Sequence, residues 1–186
     1  MSFVENIVAV TFDEPGAAIQ ALNELQRLHE SEALKVRTAA VLERRGDGTW
    51  RVADKTEHPT FAGTITGGLV GAILGALTGP LGLLLGGTAG LLAGELIDVT
   101  EDEAEELILE AMINRTPPGS SALLAEVDEP VPDTLDAFMG KLGGRIMRWS
   151  RAYVEAELEA AAEATDAGRR ESRRILHLRK EKAGKV

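Results

Sequence analysis

Residues 60–97 decide the architecture of this chain, and they read TFAGTITGGLVGAILGALTGPLGLLLGGTAGLLAGELI. No charged side chain occurs from Pro59 to Gly94, and glycine recurs at every fourth position in two runs that meet at Gly79-Pro80. A period of four places each run on one stripe of a helix. Because each glycine inside a helix costs about 0.5–1 kcal/mol relative to alanine, the repeat indicates a compensating close contact between helix backbones. The segment predicts a glycine-zipper hairpin of two helices that touch through Gly63, Gly67, Gly71, Gly75, Gly79, Gly82, Gly86, Gly90 and Gly94.

Flexible linkers and nucleotide-binding loops are also rich in glycine, but this segment fits neither. A flexible linker is filled with serine and polar residues, whereas leucine, isoleucine and valine stand between these glycines. A nucleotide-binding loop needs Gly-x-x-x-x-Gly-Lys-Ser/Thr or Gly-x-Gly-x-x-Gly, and neither pattern occurs here. The segment therefore predicts helix–helix contact.

The surroundings of this hairpin have two interpretations. The 18 residues from Phe61 to Thr78 would form a helix of about 27 Å, close to the ~30 Å thickness of a bilayer core. Membrane-spanning segments are typically flanked by lysine and arginine, but Glu57, Glu95 and Asp98 flank this one. The hairpin is therefore either embedded in a membrane or buried as the seam of a homo-oligomer.

The flanking sequence predicts an α+β domain. Before the hairpin we expect a strand at 6–12, a helix at 15–30, and strands at 34–44 and 49–55. After it we expect a helix at 98–114, a strand at 121–127, a helix at 132–142, a strand at 145–150 and a long helix beyond Tyr153. The first six of these elements follow the order β-α-β-β-α-β, typical of a ferredoxin-like antiparallel sheet with helices on one face. We predict a ferredoxin-like domain from residues 1–58 and 98–152, an inserted hairpin at 59–97 and a charged helical tail at 153–186.

Composition restricts the possible functions. The 186 residues include no cysteine, so a disulfide framework, a thiol nucleophile and a thiolate metal site are excluded. The net charge is −10, and residues 95–136 hold 13 acidic side chains against one basic. This balance argues against nucleic-acid binding by the body of the protein. The N-terminus lacks the basic start and apolar core of a signal peptide, so we expect no secretion.

Side chains that could carry chemistry are few. The carboxylates between Asp98 and Glu110 are dense, but they lack the spacing of a calcium loop and favour the N-terminus of a helix. His29, His58 and His177 are scattered, with no metal-ligand spacing among them. We therefore expect no catalytic residues, no metal, no cofactor and no enzymatic activity.

The C-terminal tail is basic, whereas the middle of the chain is acidic. Residues 169–186 hold eight basic side chains against two acidic ones. This segment predicts binding to an anionic membrane surface through Arg169, Arg170, Arg173, Arg174, Arg179 and Lys180, or else a solvated helix end. No aromatic side chains alternate with these residues, as they would in a segment that binds single-stranded nucleic acid.

Three stretches together resemble a known bacterial family. They are the opening VAVTFDEPGAA, the glycine hairpin and the later PPGSSALL. The family is catalogued as domain of unknown function 1269 and described as a membrane protein of unknown function. The resemblance covers about residues 3–150 and leaves the basic tail outside. It implies membrane association and no catalytic residues.

The sequence therefore predicts a non-enzymatic, membrane-associated self-assembly or scaffold protein at the cytoplasmic side of the inner membrane, or in the cytoplasm. Its partner would be itself. The sheet could cover part of the apolar surface opposite the glycine stripe, and lipid or other copies would cover the rest of Leu69, Ile73, Leu77, Leu84 and Leu91. The tail from residue 154 onward would be dispensable for folding. The alternative is a soluble homo-oligomeric regulatory module that binds an unknown small ligand on its sheet.

Overall fold

The computed structural model describes residues 4–53, 68–78 and 107–163. Its strands are β1 (Val4–Phe12), β2 (Lys35–Arg44), β3 (Trp50–Val52), β4 (Ser121–Glu129) and β5 (Arg145–Ser150). Its helices are α1 (Ala17–Glu30), α2 (Gly68–Thr78), α3 (Ile108–Arg115), α4 (Pro132–Lys141) and a helix over residues 151–163, which we call α5. The mixed α+β class is confirmed, and so are all five predicted strands, although β3 is shorter than expected. The predicted capping box of Thr100 and Glu103 lies outside the described residues.

The described strands form one antiparallel sheet in the order β3-β2-β4-β1-β5. A ferredoxin-like sheet built from the first four strands of the chain would place β3 between β2 and β1, but β4 occupies that position. The burial patterns of the two strands explain this order. β4 is buried from Ser121 to Val127, as a central strand must be, whereas three-residue β3 carries the exposed Arg51 and pairs with β2 alone.

Helices cover both faces of the sheet, not one face as predicted. On one face, α1 and α4 pack on Val8, Val10 and Leu123. On the other face, α2, α3 and α5 pack on Ile7, Ala9, Ala40, Leu42, Ala122, Leu124, Met147 and Trp149. The alternation of neighbouring β4 residues between the two clusters follows from the two-residue period of a strand. The protein therefore has three layers, with the sheet in the middle.

Helix α2 lies on the sheet through its large side chains. Leu69, Val70, Ile73, Leu74 and Leu77 are all buried there. The sheet therefore covers Leu69, Ile73 and Leu77, so these three do not need lipid or another copy, while Leu84 and Leu91 lie outside the described residues. The 11 described residues of α2 span about 16 Å, a length that a strand can cover.

Helix α5 is part of the core. The Val154 side chain is fully buried against the α2–α3 face, and Tyr153 and Leu158 pack beside it. We expected everything after Tyr153 to be dispensable for folding. The packing of residues 154–158 against the sheet contradicts that expectation for this stretch. Residues 164–186, with their basic side chains, lie outside the described part of the chain.

Candidate functional site

The outward face of α2 consists of small residues. Gly68, Ala72, Gly75 and Thr78 are exposed, and the Thr78 hydroxyl donates to the Leu74 carbonyl at 2.7 Å. A Cβ atom at Gly75 would meet no heavy atom within 4 Å. This face, defined by residues 68, 72, 75 and 78, carries no charged and no large side chain.

Two of the nine predicted contact glycines are described. Gly71 and Gly75 lie on α2, where Gly71 is partly buried and Gly75 is exposed. Gly63, Gly67, Gly79, Gly82, Gly86, Gly90 and Gly94 lie outside the described residues, as do Arg169, Arg170, Arg173, Arg174, Arg179 and Lys180. The contact between two glycine stripes and the binding of an anionic surface therefore stay predictions. None of the helices within residues 4–53, 68–78 and 107–163 is long and apolar enough to cross a membrane.

A buried carboxylate lies where α2 begins. Gly68 has φ +80°, a backbone conformation that residues with a side chain rarely adopt. A Cβ atom added at this position would lie 3.7 Å from Glu126 Oε2. Glu126 is 4% exposed and accepts a hydrogen bond from Arg151 Nη1 at 2.5 Å. Arg151 is the first residue of α5, so this pair joins β4 to α5 beside the first residue of α2.

A second buried carboxylate lies at the end of β4. Glu129 is 1% exposed and accepts hydrogen bonds from Asn6 Nδ2 at 2.9 Å and from Arg148 Nε at 2.5 Å. Arg148 also donates to Asp136 at 2.7 Å. Two opposite effects act on the pKa of Arg148. Burial lowers it, but the hydrogen bonds with Asp136 and Glu129 together raise it by more, so the net shift of the pKa is upward. This group is fully paired, which favours a role in holding strands and α4 together over acid–base chemistry.

Charged side chains from distant parts of the chain hold both ends of α3. At its N-terminus, the Glu157 carboxylate accepts hydrogen bonds from the backbone N–H groups of Ile108, at 2.8 Å, and Leu109, at 3.3 Å. At its C-terminus, Arg44 Nη1 donates to the carbonyls of Ile113 and Thr116. An anion at the N-terminus and a cation at the C-terminus both match the helix dipole.

Burial affects the pKa values of both capping groups. Burial raises the pKa of Glu157 despite its two backbone hydrogen bonds, and the nearby Glu110 raises it further. Burial also lowers the pKa of Arg44. The Arg44 guanidinium lies over the Trp50 ring, 5.5 Å from its centroid, which supports it on the side away from the helix.

The remaining candidate residues have structural surroundings. His29 Nδ1 accepts a hydrogen bond from the Val36 backbone at 3.2 Å, which ties α1 to β2. Among the carboxylates predicted to cluster at 98–110, Glu110 is described and lies on α3. Within the three described ranges, no three His, Cys, Asp or Glu side chains are grouped as they would be around a metal ion.

Sequence reasoning missed the buried glutamates. Glu126 had a readable signal, because it interrupts the apolar strand β4, whereas Glu129 follows Asp128 at the end of that strand and had none. Glu157 had no such signal in the sequence. It belongs to the same series of acidic residues as Glu155 and Glu159, which are exposed. Only the packing of α5 against α3 distinguishes it.

Comparison with known proteins identifies a family. No curated protein and no solved structure matches the chain. The family described as protein of unknown function (DUF1269) matches residues 61–163, more than half of the 186 residues. The family resemblance was expected to cover residues 3–150. The match instead begins after β1, α1, β2 and β3, and it extends through α5. The chain thus belongs to the DUF1269 family of proteins of unknown function.

Proposed function

We propose that this protein is a non-enzymatic self-assembly or scaffold protein whose copies meet through the inserted segment 59–97. The observation that carries the proposal is the outward face of α2, which is apolar although it points away from the sheet. A helix without a polar face is normally buried on all sides. The sheet buries one side of α2, so an apolar neighbour is needed on the other side.

Small side chains determine what kind of neighbour fits this face. Positions 68, 72 and 75 have at most one side-chain carbon atom each, so another backbone can approach closely and gain van der Waals contact. The predicted second glycine run, at 82, 86, 90 and 94, offers a matching surface in the same chain, and the same segment of a second copy offers it between chains. Self-assembly therefore suits this face better than binding of a large or charged partner.

The test uses a pair of matched glycines. Gly75→Leu fills the outward face of α2, while Gly140→Leu makes the same change at an exposed position of α4. A Cβ atom at either position would have no heavy atom within 4 Å. Both variants should fold, with a gain of up to about 1 kcal/mol in helix propensity. Light scattering in buffer and in mild detergent should show assembled wild type, assembled Gly140→Leu and a smaller species for Gly75→Leu. A monomeric wild type under both conditions, or three equal masses, contradicts the proposal.

We also propose that the assembly is associated with the cytoplasmic side of a bacterial inner membrane. The charge-free run from Pro59 to Gly94 and the basic residues after position 168 support this location. Full-length protein should remain with the membrane fraction after a carbonate wash. Truncation after Glu163 removes the basic residues and keeps α5, so it should weaken binding to vesicles that contain an anionic phospholipid, most strongly at low salt.

The alternative is a soluble homo-oligomeric regulatory module that binds a small ligand on its sheet. It has less support, because helices cover both faces of the sheet. Full recovery of the protein in the cytosolic fraction, with assembly intact, would favour the soluble module over the membrane scaffold.

For the fold, we propose a ferredoxin-like core made of β1, α1, β2, β4, α4 and β5. The sheet order β2-β4-β1-β5 and the shared packing of α1 and α4 on one face support this assignment. In this arrangement β3, the glycine segment and α3 form a single insertion between the second and third core strands. The insertion then carries the proposed assembly surface.

A further inference from the structure

Helix α3 depends on contacts from outside itself. It has eight residues, fewer than the roughly 12–15 that an isolated helix needs to be even marginally stable in water. Its first residue after the cap, Ile108, is fully buried, so water cannot easily replace the Glu157 carboxylate as acceptor for the Ile108 N–H. The N-terminal turn of α3 is therefore supported by α5.

Helix α5 has one polar contact beside the start of α2 and another at the start of α3. Its first residue, Arg151, pairs with Glu126, which lies beside Gly68 at the start of α2. Two turns further along, Glu157 holds the start of α3. Ser150 starts α5 by accepting the Tyr153 N–H at 3.2 Å. One short helix thus lies next to the starts of both α2 and α3.

The attachment of α5 to the sheet domain is narrow. Among residues 151–163, Val154 is the one fully buried apolar side chain, with Tyr153 and Leu158 partly buried beside it. Glu155, Glu159 and Glu163 are exposed, so α5 would remain soluble if it separated from the sheet. Its polar anchors include the Arg151–Glu126 ion pair and the Glu157 carboxylate, and charged groups at an anchor compete with hydration.

We propose that α5 is a detachable strap that controls whether α3 is held on the sheet. When the strap is docked, Glu157 completes the first turn of α3 and fixes the point where the inserted segment returns to the sheet domain. When the strap separates, the Ile108 and Leu109 N–H groups lose their acceptor and α3 opens, while the central strands stay paired. The contacts lie within one chain, so the device operates whether or not copies assemble.

Hydrogen exchange measures this coupling directly. In Glu157→Ala, the amides of residues 108–112 should exchange about tenfold faster, as expected for the loss of a helix cap, while those of β4 keep their protection. Glu159→Ala alters an exposed glutamate on the same helix and should behave as wild type. Glu157→Gln retains an acceptor oxygen and should fall between wild type and Glu157→Ala.

A second variant loosens the strap without touching α3. Arg151→Gln removes the ion pair with Glu126 at the other end of α5, and faster exchange of residues 108–112 in this variant supports coupling through docking of the whole helix. Unchanged exchange of α3 in both Glu157→Ala and Arg151→Gln overturns the proposal. Equal acceleration in α3 and β4 also overturns it, because that result indicates global unfolding and not release of a strap.

Discussion

The two faces of the sheet are closed by helices of different kinds. Helix α1 has 14 residues and buries Ala18, Ala21, Leu22, Leu25 and Leu28 along one stripe, without a side-chain cap at its N-terminus. Helix α3 has eight residues and is held at its N-terminus by Glu157, 49 positions away in the chain, and at its C-terminus by Arg44. Both helices bury an apolar stripe of their own, but α3 also has polar contacts with distant residues at its two ends.

The contrast implies different sensitivities. The α1–α4 face should respond mainly to changes in the volume of its core, because apolar packing closes it. The α2–α3 face should respond to changes in α5, because α5 supplies both apolar cover and polar capping there. Three measurements would sharpen or break this comparison.

The largest expected effect is on the α2–α3 face. Truncation after Tyr153 removes the buried Val154 and the Glu157 cap, and it should lower the free energy of unfolding by roughly 2–4 kcal/mol. Truncation after Glu163 keeps both residues and serves as the control. Thermal or urea unfolding measures the difference, and equal stability of the two truncated chains would show that α5 contributes no stability.

An intermediate effect is expected on the α1–α4 face. A Cβ atom at Gly144 would lie 2.6 Å from Val10 Cγ1, 2.7 Å from Phe12 Cε1 and 3.0 Å from the Met139 carbonyl. Gly144→Ala should therefore destabilise the protein by about 1–3 kcal/mol through overpacking. Gly140→Ala, four residues earlier with open space around the new Cβ, should be neutral or slightly stabilising in the same urea titration. A stable Gly144→Ala would mean that this face is less tightly packed than its apolar cluster indicates.

The smallest expected effect is a pH dependence on the α2–α3 face. The pKa of Glu157 is raised in the folded state by burial, so the folded protein binds this proton more tightly than the unfolded chain does. The stability contributed by this group is present at low pH and is lost as pH rises from its ordinary value of 4.5 through the raised value. Glu157→Gln should lack this loss, so the stability of the variant relative to wild type should improve as pH rises. Parallel pH–stability curves would contradict the prediction.

Sequence patterns indicated most of the local structure. The alternation and β-branched residues of 6–12 indicated β1, the spacing of Leu22, Leu25 and Leu28 indicated α1, and Gly143-Gly144 correctly separated α4 from β5. These signals work because each element is stabilised mainly by side chains within its own stretch. The position of β4 between β2 and β1 was not readable, because strand order depends on which strands bury both faces at once.

The α2 segment shows the limit of pattern reading for function. A helix was expected in this segment and is present over Gly68–Thr78, but of the predicted glycine stripe only Gly75 lies on the exposed face, while Gly71 is partly buried. The structure turns the large side chains inward and leaves Gly75 exposed. That orientation, and not the period of four alone, makes the small-residue face available for assembly.

By itself, the sequence determined the α+β class and the bounds of most described elements, because these follow from propensities and periods within a few residues. Only the tertiary structure decided the strand order, the covering of both sheet faces and the roles of Glu126, Glu129 and Glu157. Those features depend on contacts between residues that are far apart in the chain, where the free energy of a buried charge is set by the partner that folding brings to it. In Glu157, flanked by exposed glutamates of the same type, the difference between a surface charge and a helix cap comes entirely from the packing of α5 against α3.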